Sequence, residues 1–170
     1  MALTARVAVE PMRLEDVPAV HEIERLSFST PWPAYAFEQE LRSNRLARYV
    51  VARAGEAVVG FAGLWLMVDE AHITTFSVHP DWRRQGIGRQ LLLSLTDMAI
   101  DIAARRMTLE VRVSNEAAQR LYRSFGFDVA GSRPRYYTDD HEDALVMTTP
   151  DLGDAGFRRL LADERLRQAG

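Results

Sequence analysis

Apolar residues recur every three or four positions in several stretches of the chain, which is the spacing of one face of an α-helix. The longest such stretch begins at about Gly86 and ends at Ala104. Its apolar positions are Leu91, Leu92, Leu95, Met98, Ala99 and Ile102. Similar spacing predicts helices over 17–26, 33–42 and 116–125. After Pro150, four apolar residues among many charged ones predict either an appended amphipathic helix or a mobile tail.

Alternating stretches and stretches rich in β-branched and aromatic residues predict strands between these helices, and the alternation is strict at 107–113. The predicted strands lie at 4–14, in two parts of 48–68 joined by a turn at Gly55 and Glu56, and at 70–78, 107–113, 127–137 and 143–149. The order strand, helix, strand over 71–113 implies a right-handed crossover between parallel strands. We therefore predict an α/β chain with a mixed, twisted sheet of about seven strands flanked by about four helices.

Length and composition limit the classes of protein to which the chain can belong. The length of 170 residues suits one domain, which we predict over 1–150, with 151–170 added to it. A formal net charge of −3 argues against a protein that binds nucleic acid or membrane surfaces. The chain has no cysteine, and its four histidines do not have metal-ligand spacing, so we expect no metal. Without a signal peptide or a long apolar run, we expect a cytoplasmic protein.

A short loop between a predicted strand and the longest helix carries two glycines among positive charges. Its residues are Arg84, Gln85, Gly86, Ile87, Gly88 and Arg89. Backbone N–H groups in such a loop can point to one side, and the helix start adds the positive end of its dipole. This arrangement predicts a diphosphate site, although a tight turn with solvated arginines is the alternative. The third glycine of a dinucleotide fold is missing, since Leu91 stands there.

Two longer segments are typical of one family. The segments "EAHITTFSVHPDWRRQGIGRQLL" (70–92) and "LEVRVSNEAAQRLYRSFGF" (109–127) resemble the GCN5-related N-acetyltransferases (GNAT), and among them the RimI type of ribosomal-protein alanine N-acetyltransferase. The resemblance covers roughly residues 4–149. It implies the GNAT fold, in which two central parallel strands, here 71–78 and 107–113, splay apart to admit acetyl-CoA.

The resemblance also implies where acetyl-CoA binds. It assigns the pantetheine arm to the backbone of Phe76, Ser77 and Val78, and the pyrophosphate to residues 84–89. Asn115 is expected to make a further contact with the cosubstrate. From its position alone, Asn115 is equally a helix cap.

Catalytic roles follow from the same resemblance. A protein α-amino group has a pKa of about 7.7–8.0 and must lose a proton before it attacks. Glu110 matches the family's catalytic base, and we expect partial burial to raise its pKa. Tyr122 matches the acid that protonates the leaving thiolate, and the N–H of Val78 is expected to stabilise the oxyanion. The alternatives are a solvated strand glutamate and a core tyrosine.

The expected acceptor is a protein N-terminus. RimI-type proteins acetylate the N-terminal alanine of the eighteenth small-subunit ribosomal protein, and the resemblance implies the same partner here. Trp32, Tyr136 and Tyr137 are predicted to line the acceptor groove, and Glu70 to contact the amine, although aromatics packed on the domain surface are the alternative. Lysine side chains, small-molecule amines and a non-catalytic acyl-CoA sensor also remain open. We take His72 and His79 as structural or solvated.

Overall fold

The structure is a computed structural model that describes residues 6–170. The described chain forms seven strands and five helices. In chain order they are β1 (Val7–Pro11), α1 (Val17–Ser27), α2 (Ala34–Ser43), β2 (Ala47–Ala54), β3 (Ala57–Met67), β4 (Glu70–Val78), α3 (Ile87–Asp101), β5 (Arg106–Arg112), α4 (Glu116–Ser124), β6 (Asp128–Arg133), β7 (Ala144–Thr148) and α5 (Ala155–Ala169). The predicted first strand began at residue 4, and residues 4 and 5 lie outside the described part.

The strands form one mixed sheet in the order β1-β2-β3-β4-β5-β7-β6. β4 and β5 are parallel, and α3 connects them, as the crossover predicted. β5 and β6 each pair antiparallel with β7. The predicted mixed sheet of about seven strands is therefore confirmed, with five helices in place of about four.

The described chain divides into two compact units. The first contains the described residues up to Leu64 together with Thr75–Leu95, and the second contains Trp65–Thr74 and Thr96–Gly170. The predicted boundary at residue 150 does not coincide with this division and stays a prediction. No described helix is both long and apolar enough to cross a membrane.

The core of the first unit forms where the apolar face of α1 meets aromatic residues. Val20 and Ile23 of α1 are buried with Phe37 and Phe61, whose rings meet edge to face at 5.7 Å. Burial of such side chains is worth about 1.5–3 kcal/mol each, so this contact fixes α1 and α2 against the strands. The apolar face of α1 is therefore buried in the core, as its helical spacing predicted.

The second unit is organised around β5, whose side chains alternate between two environments. Met107, Leu109 and Val111 are buried, whereas the residues between them are partly exposed. Successive side chains of a strand point to opposite faces, so Glu110 shares the less buried face with Thr108 and Arg112. This alternation was visible in the sequence and gives Glu110 access to solvent.

Two segments differ from their predicted form. β6 ends at Arg133 and not at Tyr137, because Pro134 lacks the N–H that a ladder requires and Arg135 has a φ of 53°. The C-terminal segment forms α5, which begins where the side chain of Asp154 accepts a hydrogen bond from the Phe157 N–H at 3.0 Å. Phe157 is buried, so α5 adds to the core of its unit.

Candidate active site

Glu110 lies at the centre of a small polar cluster in the second unit. Its Oε2 is 2.5 Å from Nε2 of His72 on β4, and its Oε1 accepts a hydrogen bond from Nε of Arg133 at 3.2 Å. The side chains of Glu110 and His72 are 11% and 21% exposed. The carboxylate is thus held at both oxygens and remains within reach of water.

The cluster forms where the parallel ladder between β4 and β5 stops. Within the second unit this ladder pairs Glu70 with Arg106, Ala71 with Met107 and His72 with Thr108. Glu110 lies two residues beyond Thr108 and therefore on the same face of β5. Because His72 pairs with Thr108, its side chain is close enough along the strand to reach Glu110. The wider splay of the two strands stays a prediction.

The pKa of Glu110 is lowered, and our expectation of a raised pKa is wrong. The hydrogen bond from His72 is the largest cause, and the charges of His72 and Arg133 act in the same direction. Burial by itself would raise the pKa, but these partners outweigh it. Glu110 is therefore an ionised carboxylate at neutral pH.

His72 is the member of the cluster that sequence reasoning missed. We took it as structural or solvated, and the structure pairs it with Glu110. Its alternation in "EAHITTF" indicated only a strand position. The two strands were predicted to be parallel, and the faces of their residues were predictable. The contact also depends on the register between the strands, which neither sequence segment indicates.

Tyr122 lies inside α4 with only 7% of its surface exposed. Its ring packs on Phe127 with centroids 5.8 Å apart. Burial raises the pKa of the phenol strongly, so the hydroxyl keeps its proton at neutral pH and can act only as a donor acid or a hydrogen-bonding group. The packing matches the core alternative, and the acid role stays a prediction.

Asn115 caps α4, as its position in the sequence allowed. Its side-chain oxygen accepts a hydrogen bond from the N–H of Ala118 at 3.1 Å. The Nδ2 amide can still donate to a ligand. The predicted contact with the cosubstrate stays a prediction.

Tyr136 and Tyr137 follow β6 in the second unit. Their rings meet edge to face at 5.2 Å, and the guanidinium of Arg112 lies 3.9 Å from the centre of the Tyr137 ring. Arg112 also bridges to Asp139, which ties the loop after Tyr137 to β5. Burial raises the pKa of Tyr137 to about 12. Tyr136 is more exposed at 45%, so it is the better placed of the two to meet an acceptor.

Glu70 is paired with a basic residue of the neighbouring strand. It lies at the start of β4 and forms an ion pair with Arg106 at 3.7 Å. Both side chains are more than a third exposed, so this pair adds little stability. In the described part of the chain Glu70 does not bond to Glu110 or His72, and its predicted contact with the amine stays a prediction.

The glycine loop lies in the first unit. Arg84 and Gly86 have positive φ angles of 64° and 80°, and α3 begins directly afterwards at Ile87. A Cβ at Gly86 would meet no atom within 4 Å, so this side of the loop is open. Alternating left-handed residues turn backbone N–H groups to one side, and a helix start follows, so the loop fits a diphosphate. Gly88 lies within the first turn of α3 and is not needed for the turn itself.

The end of β4 leads into this loop. The Val78 carbonyl accepts a hydrogen bond from Nε of Arg83 at 3.1 Å, which fastens the loop to the strand. Ser77 is buried and its hydroxyl donates to the hydroxyl of Ser27 on α1 at 2.7 Å. Phe76 is partly buried. The role of these three residues toward pantetheine stays a prediction.

Trp32 lies between α1 and α2, where it contacts a buried carboxylate. Its backbone N–H donates to Oε1 of Glu24 at 3.1 Å, and its ring packs on Phe37 with centroids 5.5 Å apart. Glu24 is 5% exposed, and its Oε2 has no hydrogen-bond partner in the described chain. Burial raises its pKa. Sequence reasoning missed Glu24, since its helical position does not reveal its burial.

Comparison with known proteins identifies the family. Residues 17–127 match the sequence profile of the acetyltransferase (GNAT) family, and the chain belongs to this family. It is 38% identical over 157 residues to the N-alpha-acetyltransferase RimI of Mycobacterium tuberculosis, covering 89% of this chain and 96% of that protein. It is 35% identical over 144 residues to the ribosomal protein bS18-alanine N-acetyltransferase of Escherichia coli, covering 84% and 96%.

The fold agrees with this assignment. The crystal structure of the ribosomal-protein-S18-alanine N-acetyltransferase from Escherichia coli superposes with a TM-score of 0.78 at 33% identity, covering 86% of this chain and 94% of that one. The predicted family and the GNAT fold are therefore confirmed. The protein is an acetyltransferase, homologous to ribosomal-protein alanine N-acetyltransferases, and membership of the family implies the use of acetyl-CoA.

Proposed function

We propose that this protein transfers the acetyl group of acetyl-CoA to the N-terminal α-amino group of ribosomal protein bS18, whose first residue is alanine. Two relatives that are 35% and 38% identical over 144 and 157 aligned residues carry N-acetyltransferase names, and the chain covers 96% of each. The observation that carries the proposal is the ionised, partly accessible Glu110 cluster. An acceptor from the ribosome implies action in the cytoplasm.

Glu110 controls the charge of the acceptor. The carboxylate attracts the α-ammonium group and favours its approach, and a proton must then leave that group before it can attack. General base catalysis of this kind typically contributes about 10²–10⁴-fold in rate. The lowered pKa means that Glu110 is already ionised at the pH at which it must act.

Acetyl transfer is direct, within a complex of both substrates. The amine nitrogen forms a bond to the thioester carbonyl carbon, and the carbon–sulfur bond breaks. The backbone N–H of Val78 donates to the developing oxyanion. The hydroxyl of Tyr122, which is protonated at neutral pH, donates its proton to the leaving thiolate, and the proton that the attacking nitrogen loses as the amide forms restores the phenol.

The remaining predicted residues hold the two substrates. The backbone of the loop from Arg84 to Arg89 binds the pyrophosphate of acetyl-CoA, with Phe76 to Val78 along the pantetheine arm and Asn115 as a further donor. Trp32, Tyr136 and Tyr137 contact the acceptor peptide, and Glu70 contributes negative charge on the acceptor side. The open side of Gly86 supports the first of these roles.

A competition between acceptors tests this function. Purified protein with acetyl-CoA is offered an alanine-initiated peptide of bS18, the same peptide with its N-terminus blocked, a lysine-containing peptide and spermidine, and products are read by mass spectrometry. We expect the free alanine peptide to have the highest kcat/KM and the blocked peptide to remain unmodified. Acetylation of the blocked peptide on lysine, or a preference for spermidine, would contradict the proposed acceptor and leave acetyl transfer intact.

A further inference from the structure

Both oxygens of Glu110 already have a hydrogen-bond donor. Oε2 is 2.5 Å from His72 Nε2, and Oε1 is 3.2 Å from Nε of Arg133. Each oxygen can accept a second hydrogen bond, but protonating Glu110 would weaken the hydrogen bonds from His72 and Arg133, which the negative charge strengthens. Arg133 carries a permanent charge and cannot pass a proton on, whereas an imidazole can.

The contact with Glu110 defines the protonation of His72. An ionised carboxylate only accepts hydrogen bonds, so the hydrogen between the two side chains is on Nε2 of His72. In a neutral ring, Nδ1 then carries the lone pair and is the basic atom. In the described part of the chain, no hydrogen bond joins Nδ1 of His72 to another residue. Its basic nitrogen is therefore available, and the side chain is 21% exposed.

We propose that His72 and Glu110 form a proton relay in which Nδ1 of His72 takes the proton from the acceptor ammonium group. The inference rests on the proposed function and refines the role of Glu110 within it. In the step, an N–H bond of the ammonium breaks, its electron pair stays on the amine nitrogen, and an N–H bond forms at Nδ1. Glu110 stays ionised and stabilises the imidazolium through Nε2.

The surroundings of the pair favour this division of roles. The charged and titratable groups that act on Glu110 are His72 from β4, Arg133 from β6, and Tyr136 and Tyr137 from the segment after β6. The hydrogen bond from His72 and the charge of Arg133 keep the pKa of Glu110 low, so the carboxylate is a weak proton acceptor. An imidazole ordinarily titrates much closer to an α-amino group and is better matched to it.

The alternative is a purely structural pair, in which His72 only holds Glu110 in position. Glutamine distinguishes the two, because its amide can donate to Glu110 but cannot accept a proton. We expect His72→Gln to lower kcat/KM for the alanine peptide about 10²-fold at neutral pH, within the usual range for a lost acid–base group. Added imidazole should restore part of the activity of His72→Ala. His21→Gln, on α1, is the matched control and should retain full activity.

Two outcomes would overturn the relay. Nearly full activity of a folded His72→Gln variant would reduce His72 to a positioning residue, and failure of imidazole to restore any activity of His72→Ala would exclude a missing proton acceptor. Acetyl-CoA affinity and circular dichroism show whether each variant is folded. If the protein prefers another amine, the same variants are measured with that amine, so failure of the acceptor assignment is separate from failure of the relay.

A measurement without any acceptor tests the pairing itself. The ring nitrogens of His72 are observed by NMR in the wild-type protein. The relay requires the hydrogen on Nε2 and the lone pair on Nδ1, so this tautomer should be the one observed. A neutral ring with its hydrogen on Nδ1 would contradict the relay even if His72→Gln did not fold.

Discussion

Glu24 and Glu110 are both largely buried glutamates, one in each compact unit, and their pKa values shift in opposite directions. Glu110 has His72 and Arg133 as cationic or donating partners, and its pKa is lowered. Among the described residues, the Glu24 carboxyl accepts only the Trp32 backbone N–H and its Oε2 has no hydrogen-bond partner, so burial raises its pKa. Burial alone therefore does not set the charge of a carboxylate, and its partners decide whether it suits catalysis.

The largest expected difference between the two glutamates is in turnover. Glu110→Gln should lower kcat at neutral pH by about 10²–10⁴-fold, because it removes the charge that the acid–base step needs. Glu24→Gln should leave kcat nearly unchanged. Steady-state kinetics with an alanine peptide measures both. A larger loss from Glu24→Gln than from Glu110→Gln would reverse our assignment.

Neither glutamate is assigned to acetyl-CoA, whose binding should depend instead on the glycine loop. Gly86→Val places a β-branched residue at a φ of 80°, which costs roughly 1–2 kcal/mol and should weaken acetyl-CoA binding about tenfold as the loop rearranges. Gly55→Val, at a φ of 60° in the turn between β2 and β3, is the matched control. Calorimetry should detect weaker binding in the first variant alone. Equal affinity in both folded variants would contradict the diphosphate site.

Trp32 connects Glu24 to the predicted acceptor side, since its N–H is the donor to that carboxylate. Trp32→Ala should raise KM for the peptide severalfold and leave the Kd for acetyl-CoA nearly unchanged, because the side chain is expected to touch only the acceptor. Tyr35→Ala removes a neighbouring aromatic ring that is 65% exposed and serves as the control. An unchanged peptide KM in a folded Trp32→Ala variant would favour a packing role on Phe37.

The smallest effect is on stability. A raised pKa means that the folded state binds the proton of Glu24 more tightly, so this stability is present below the unfolded pKa and is lost as pH rises through the folded value. Glu110 has the opposite dependence, because its stability is lost as pH falls through its lowered pKa. Glu24→Gln should raise the free energy of unfolding at neutral pH by on the order of 1 kcal/mol. Urea titrations at acidic and neutral pH measure this free energy. If the buried charge of Glu24 were stabilising, Glu24→Gln would instead lower the free energy of unfolding at neutral pH.

The sequence predicted the elements better than their contacts. The helical spacing of apolar residues in α3 and the alternation in β5 are local patterns. They were sufficient to predict both elements and the side of β5 on which Glu110 lies. The end of β6 at Arg133 could also have been predicted from the sequence, because Pro134 has no N–H to donate to a strand ladder. The contact between His72 and Glu110 depends on the register of two strands that are distant in the chain, and no local pattern records that register.

The pKa of Glu110 illustrates the same limit. Its position in "LEVRV" predicted partial burial, and the structure confirms that its side chain is only 11% exposed. Burial without known partners suggested a raised pKa, and the partners reversed it. The loop at Arg84 is a similar case, since its positive φ follows from how the chain enters α3 rather than from the preference of arginine.

The most direct test of the central claim is the pH dependence of kcat/KM for Glu110→Gln relative to the wild-type protein. If the cluster around Glu110 serves to remove the acceptor's proton, the variant should recover as pH rises through the α-amino pKa of about 7.7–8.0, because the amine then deprotonates without help. We predict a large gap near pH 6 that narrows steadily toward about pH 10. A gap that stays constant over this range would show that Glu110 contributes something other than control of the acceptor's proton, and would contradict the account.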